Sequence, residues 1–152
     1  MAAPLQLSVR HADPRLGAPT ELRLALPSDV DLVGPAVELI STHCCTGVLS
    51  ERRVLFNLRT ALAEALTNAI VYGNRADPAK QVRVRVELGL RVVHIHVEDD
   101  GDGFDAATVP DPTTPDRLLF EDGRGLFVIR HLVDDVRFNA RGNAVCLTLK
   151  AG

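Results

Sequence analysis

Residues 50–74, SERRVLFNLRTALAEALTNAIVYGN, most tightly limit what this chain can become. Leu55, Leu58, Leu62, Leu66, Ala69 and Ile70 recur at helical spacing and form one apolar stripe. Ser50 is placed to cap this helix, and Gly73 fits the position just past its end. Shortly afterwards the apolar period drops to that of a strand. Val82, Val84, Val86 and Leu88 alternate with Arg83, Arg85 and Glu87. After a tight turn at Gly89–Leu90, Val93, Ile95 and Val97 alternate with His94, His96 and Glu98. This is an antiparallel hairpin with one buried face. A one-faced helix beside a one-faced hairpin must bury the two apolar surfaces against each other.

The flanking segments extend that arrangement. Leu22, Leu24 and Leu26 alternate with Glu21, Arg23 and Ala25 as a half-buried strand, ended by Pro27. Ser28 followed by Asp31 resembles a capping box with a shorter acid, predicting a helix with Val30, Val33, Val37 and Ile40 on one face. Gly47 breaks it, and Asp77–Pro78 marks a turn. Residues 104–122 hold three prolines and no period, the signature of a lid or binding loop. Gly123–Arg124–Gly125 opens a helix with Leu126, Ile129, Leu132 and Val133 on one face. A last hairpin runs through Val136 and Phe138, turns at Arg141–Gly142–Asn143, and returns with Val145, Leu147 and Leu149. Residues 1–20 read as a tail or a short edge strand at Leu5–Val9, and residues 21–152 as one domain. The predicted fold is an α/β two-layer sandwich, a mixed, mainly antiparallel sheet with three helices on one face.

Composition narrows the function. At 152 residues the chain is the size of one domain. A net charge of −3 disfavours direct nucleic-acid or membrane-surface binding. With aromatics at 4% and no Trp, the core must be aliphatic and base-stacking platforms are disfavoured. The start carries no secretion signal, and no run approaches the roughly 20 apolar residues of a membrane span. Cys44, Cys45 and Cys146 are odd in number, include an adjacent pair and lack CxxC spacing. They are expected as small buried apolar residues in a reduced cytoplasm, not as a disulfide framework or zinc site.

Three segments carry chemistry. Glu64 and Asn68, at i and i+4 of the long helix, lie roughly 40° apart and share a face mostly opposite the apolar stripe. A carboxylate can polarise a hydroxyl, and an amide oxygen can ligate a hard cation such as Mg²⁺. Asp99–Asp100–Gly101–Asp102–Gly103 follows a strand directly. Its glycines allow close backbone approach, but its acids would repel bare phosphate. An acid there suits accepting a hydrogen bond from an amino group, as on adenine, or holding a metal. Gly123–Arg124–Gly125 at a helix N-terminus offers free N–H groups to an anion. Read singly, each also fits a plainer role as a solvated helix face, an acidic turn or a flexible helix entry. Taken together, they describe an ATP site without a Walker loop or GxGxxG. His94 and His96 share a strand face, but an HxH pair lacking a third ligand reads as solvated surface.

EALTNAIVYGN resembles the N box of the GHKL ATPase superfamily of gyrase, histidine kinases and mismatch-repair ATPases. EDDGDGF resembles its first glycine box and GRGLFVIRHLVDDV its second. Within that superfamily, the chain is most similar to anti-sigma factor serine/threonine kinases of the RsbW type, from about Glu21 to Lys150. The resemblance implies a histidine-kinase-like ATPase fold using ATP and Mg²⁺. It implies that Glu64 is the catalytic base, that Asn68 ligates Mg²⁺, and that Asp99 holds the adenine amino group. It further implies that Gly101 and Gly103 give the nucleotide room, that Gly123, Arg124, Gly125 and Leu126 close a lid over the phosphates, and that Thr148 contacts adenine through water. For Thr148, an ordinary β-branched strand residue stays equally open. The implied partners are an anti-anti-sigma (STAS-type) protein, a sigma factor and a second copy of the chain. Two departures stand out: Tyr72 where many relatives carry His, and Asp100 where many carry Asn, which adds negative charge near the nucleotide. The competing readings are a nucleotide-binding regulatory module that transfers nothing, and the catalytic half of a sensor histidine kinase. The second needs an upstream helical hairpin bearing a phosphoaccepting His, for which the residues before the first strand are too few and too poorly patterned.

Overall fold

The computed structural model describes residues 5–11, 15, 17, 19–45, 47–102 and 128–151. Six strands form one sheet: β1 (Gln6–Arg10), β2 (Thr20–Pro27), β3 (Gln81–Leu88), β4 (Val92–Asp99), β5 (Asp135–Phe138) and β6 (Ala144–Lys150). They lie in the order β1-β2-β3-β4-β6-β5, and every neighbouring pair is antiparallel. Helix α1 (Val33–His43) and a long helix, Arg53–Gly73, connect β2 to β3. The expected two-layer α/β sandwich is therefore what the chain forms, with an antiparallel sheet. The expected edge strand is real, displaced by one residue at each end.

Strand alternation decides the layers. In register, Leu24 faces Val84, Val84 faces Val97, and Val97 faces Val145 across four strands. These side chains share a core with Ala36, Val37 and Ile40 of α1 and with Val54, Leu58, Leu62, Leu66 and Ile70 of the long helix. Fully burying one such Leu is worth about 1.5–3 kcal/mol, so this interface holds the two layers together. The other sheet face is polar. Arg83 bridges Glu98, Arg85 bridges Glu87, and Glu21 lies between Arg10 and Arg23. The two guanidiniums hold the Glu21 carboxyl below its ordinary value, Arg23 contributing most by hydrogen bonding.

The long helix departs from regular geometry in a way that matters for the site. It consists of a π-helical stretch Arg53–Leu58, the α-helix α2 (Arg59–Thr67) and a second π-helical stretch Asn68–Gly73. Ser50 caps its start, its Oγ accepting from the Arg53 N–H at 3.1 Å. The buried positions Val54, Leu58, Leu62, Leu66 and Ile70 recur every fourth residue. On a regular helix such a row drifts by about 40° per step, and the wider π turns absorb the drift. For this reason Val54 is buried and Leu55, expected in the stripe, is 47% exposed. The helix has the length and apolar content of a membrane crossing, more than the sequence reading allowed. Its stripe is nonetheless packed on the sheet. Arg59 clamps it to α1 through Glu38 at 2.7 Å and the buried Ser41 at 3.0 Å.

Four local expectations need correction. Asp29, not Ser28, caps the first helical turn, its side chain accepting from the Asp31 N–H at 2.9 Å. That turn, Val30–Leu32, is 3₁₀, and its tighter winding leaves Val30 outside the core. Gly73 is not a left-handed terminator. The chain reverses one residue later, where Arg75 and Ala76 take φ of 53° and 55°. Cys44 is buried, and burial raises its thiol pKa to about 12, but Cys45 is exposed, with its thiol directed at the Ser41 carbonyl.

Candidate functional site

The loop after β4 meets the end of the long helix because the stretch Asn68–Gly73 packs on β4. Asp99 is the last residue of β4, and its position in the alternation turns it inward, in line with Val97 and Ile95. A Cβ on Gly73 would lie 2.3 Å from Asp99 Oδ2 and 2.4 Å from its Cγ, so the carboxylate rests directly on the helix backbone. Gly101 is buried, and its N–H donates to Asp99 Oδ1 at 2.8 Å. A Cβ on Gly101 would lie 1.9 Å from the Gly73 carbonyl oxygen. Two backbone segments therefore touch around one carboxylate; glycine is required at 101, where the obstruction is backbone, and a Cβ at 73 would displace the Asp99 carboxylate.

Gly101→Ala accordingly has nowhere to go, since the obstruction is backbone. It is expected to lower unfolding free energy by about 3 kcal/mol, read from the urea midpoint. Gly34→Ala is the control, because nothing lies within 4 Å of its added Cβ. Inside α1 that change is expected to add about 0.5–1 kcal/mol.

Asp99 is electrostatically perturbed. Burial pushes its carboxyl above the ordinary value, the neighbouring Asp100 and Glu98 push the same way, and the Gly101 N–H opposes them. Among the described residues, Oδ2 accepts no hydrogen bond. A buried carboxylate with an acceptor to spare fits a ligand that brings an N–H donor. The Asp100 side chain itself is turned away from Asp99, although its charge still adds to the upward push on that carboxyl. Asp100 Oδ2 accepts from the Gln81 N–H at 2.9 Å and its Oδ1 from Arg83 at 2.8 Å, which holds its carboxyl below the usual value.

Asn68 opens the π-helical stretch that ends at Gly73, and Glu64 stands one turn earlier; both side chains are half-buried. Among the described residues neither makes a hydrogen bond, which leaves a carboxylate and an amide available side by side. Gly103, Gly123, Arg124, Gly125 and Leu126 lie outside the described residues, as does the 104–122 segment. Beyond them, residues 128–132 are helical and Ile129 is buried, as its place on the apolar face predicts.

Thr148 is a correction. It pairs with His94 on β4, whereas Leu147 pairs with the inward-facing Ile95. Its hydroxyl lies 3.0 Å from His94 Nδ1, on the face of the sheet opposite Asp99. An adenine contact from Thr148 does not fit this register. His96, on that same face, lies 3.1 Å from Glu87 and 3.9 Å from the Cys146 thiol.

Three residues beside Asp99 were missed by sequence reasoning: Gly73 as a contact, Asn74 and Asn143. Asn143 donates to the Asp99 carbonyl at 3.1 Å, and its own carbonyl accepts the Asp99 N–H at 2.9 Å. The available signal was the Gly–Asn pair, which occurs both at the helix end and at the last turn.

Comparison with known proteins places this geometry in context. Residues 26–149 match the family described as the histidine kinase-like ATPase domain. The chain is 30% identical over 92 residues to the anti-sigma F factor of Anoxybacillus flavithermus, covering 59% of this chain and 62% of that protein. It is 32% identical over 99 residues to the serine-protein kinase RsbW of Bacillus subtilis, covering 60% and 62%. With the serine-protein kinase RsbW of Oceanobacillus iheyensis it shares 29% identity over 89 residues, covering 55% and 56%. In each case the match spans less than two thirds of the relative's length.

Proposed function

The chain belongs to the histidine kinase-like ATPase domain family, and we propose that it is an ATP-dependent serine/threonine kinase and anti-sigma factor. In this reading it acts in the cytoplasm, phosphorylates an anti-anti-sigma protein of the STAS type, sequesters a sigma factor and works as a homodimer. The observation that carries the reading is Asp99, a buried carboxylate pressed on Gly73 and bonded to Gly101, whose Oδ2 accepts no hydrogen bond among the described residues. The adenine amino group supplies a donor for it. The names of the relatives from Bacillus subtilis and Anoxybacillus flavithermus support the kinase and anti-sigma halves of the proposal.

The roles are those the family resemblance implies, and each suits the chemistry of the group assigned to it. Asp99 anchors the base and sets the nucleotide's direction. The Asn68 amide oxygen holds Mg²⁺, which when bound neutralises phosphate charge. Glu64, on the same helix face, accepts the proton of the partner's serine or threonine hydroxyl as the hydroxyl oxygen bonds to the γ-phosphorus and the bond to the β,γ-bridging oxygen breaks, releasing ADP. Gly123, Arg124, Gly125 and Leu126 cover the phosphates, the backbone N–H groups and the guanidinium meeting their charge. Gly103 leaves room beside the nucleotide. Most of such catalysis is positioning, which a rigid helix packed on a sheet provides.

The test is transfer itself. The purified chain is incubated with Mg²⁺, γ-labelled ATP and a STAS-type partner from the same cell. Label is expected on a serine or threonine of the partner, with transfer lost when Mg²⁺ is chelated. Nucleotide binding without label on any partner would favour the regulatory module that transfers nothing.

A further inference from the structure

Asn74 has no solvent exposure, and its side chain makes three hydrogen bonds to three different parts of the fold. Its amide nitrogen donates to Ser28 Oγ at 2.8 Å and to the Gln81 carbonyl at 2.9 Å. Its amide oxygen accepts the Asp100 N–H at 2.7 Å. Ser28 in turn donates to the Lys80 carbonyl at 2.9 Å. One side chain at the end of the long helix therefore ties together the end of β2, the start of β3 and the turn after β4.

The backbone around Asn74 is under tension. Its N–H donates to the Ala69 carbonyl at 2.8 Å, closing the last π turn. The next two residues, Arg75 and Ala76, both have positive φ without being glycine. Such conformations persist where the surroundings over-determine them. Here the Ala76 N–H donates to the Ile70 carbonyl at 2.7 Å and the Asp77 N–H to the Asn74 carbonyl at 3.1 Å, beside the Asn74 amide network.

The consequence falls on Asp99. Asn74 holds the Asp100 N–H, which belongs to the peptide joining Asp99 to Asp100. The Asp99 carboxylate is thereby kept against Gly73, one residue before Asn74. If the amide oxygen is removed, the Asp100 N–H loses its partner and the turn is free to move away from the helix.

We propose that Asn74 is a positioning residue for Asp99, setting the preference for adenine over purines lacking the 6-amino group without touching the nucleotide. The proposal rests on the assignment of Asp99 to the adenine amino group. It goes further by assigning that selectivity to a residue outside the binding surface.

The test compares ATP with inosine triphosphate, which carries the same ribose and phosphates but no amino group. In the unaltered protein, calorimetry is expected to show ATP binding at least about tenfold tighter. In Asn74→Ala that ratio is expected to fall towards one, while affinity for inosine triphosphate changes by less than about threefold. A merely structural role would instead lower both affinities together, and that result overturns the proposal, as does an unchanged ratio. If Asn74→Ala does not fold by circular dichroism, Ser28→Ala decides. It removes one of the amide's partners and is expected to reduce the ratio by about threefold, with an unchanged ratio overturning the proposal. An unaltered protein that binds both nucleotides alike overturns the adenine assignment itself, and Asn74's role with it.

Discussion

Replacing Glu64 with glutamine is expected to leave ATP bound with its ordinary affinity and to slow phosphoryl transfer to the partner by about 10²–10⁴-fold. The substitution keeps size and polarity and removes only the capacity to take a proton. Glu64 belongs to α2, whose buried residues are Ala61, Leu62, Ala65 and Leu66, so the fold does not rest on its side chain. The check is single-turnover transfer of label, measured alongside nucleotide affinity in the same preparation. Loss of both together would mean that Glu64 supports the pocket rather than the reaction. Retention of both would leave the reaction without its base.

Asp99→Asn is expected to separate binding from stability. Nucleotide affinity should fall by about 10–100-fold, because a hydrogen bond to a charged group is lost and an amide replaces it. Stability should move the other way. Burial raises the Asp99 carboxyl in the folded state. Between the unfolded value and that raised value the folded protein therefore binds more protons than the unfolded chain. Its stability rises as pH falls through this window, and above it the ionised group penalises folding. Asparagine removes the penalty, so the melting temperature at pH 7 should be higher than that of the unaltered protein. The same shift predicts that ATP affinity declines on acidification from a higher pH than an ordinary carboxylate would give. Thermal unfolding from pH 4 to 8, with and without ATP, reads all of these effects.

The layers of this fold were legible because period and burial agree. The alternation of Val82 to Leu88 and Val93 to Val97 names the buried residues of two strands, and Ser50 marks the helix start. Periodicity failed where the helix is not regular. The π turns at Arg53–Leu58 exchange Leu55 for Val54, and no propensity in the sequence announces them. Short-range signals were off by one where neighbours compete, as with Ser28 and Asp29. Ser28 is drawn instead into the Asn74 network, a long-range partnership invisible to local patterning.

The site divides along the same line. Asp99 and Gly101 stand out in the sequence because acids and glycines follow a strand directly, and the structure brings both against Gly73. Thr148 was misassigned because face depends on register, and register is set by pairing with β4 rather than by composition. Asp100 looked like a charge added to the pocket, and only its partners Arg83 and Gln81 show it turned aside. Gly73 reads equally well as a helix terminator and as a point of contact. Only the carboxylate lying against it tells the two apart.

The central claim is that Asp99 and Asn68 face one nucleotide. A crystal structure grown with Mg²⁺ and a non-hydrolysable ATP analogue tests it most directly. The account predicts the adenine amino group within hydrogen-bond distance of Asp99 Oδ2 and the metal on the Asn68 amide oxygen, with Gly73 and Gly101 still in contact. A nucleotide bound elsewhere, or bound with its base remote from Asp99, would contradict it.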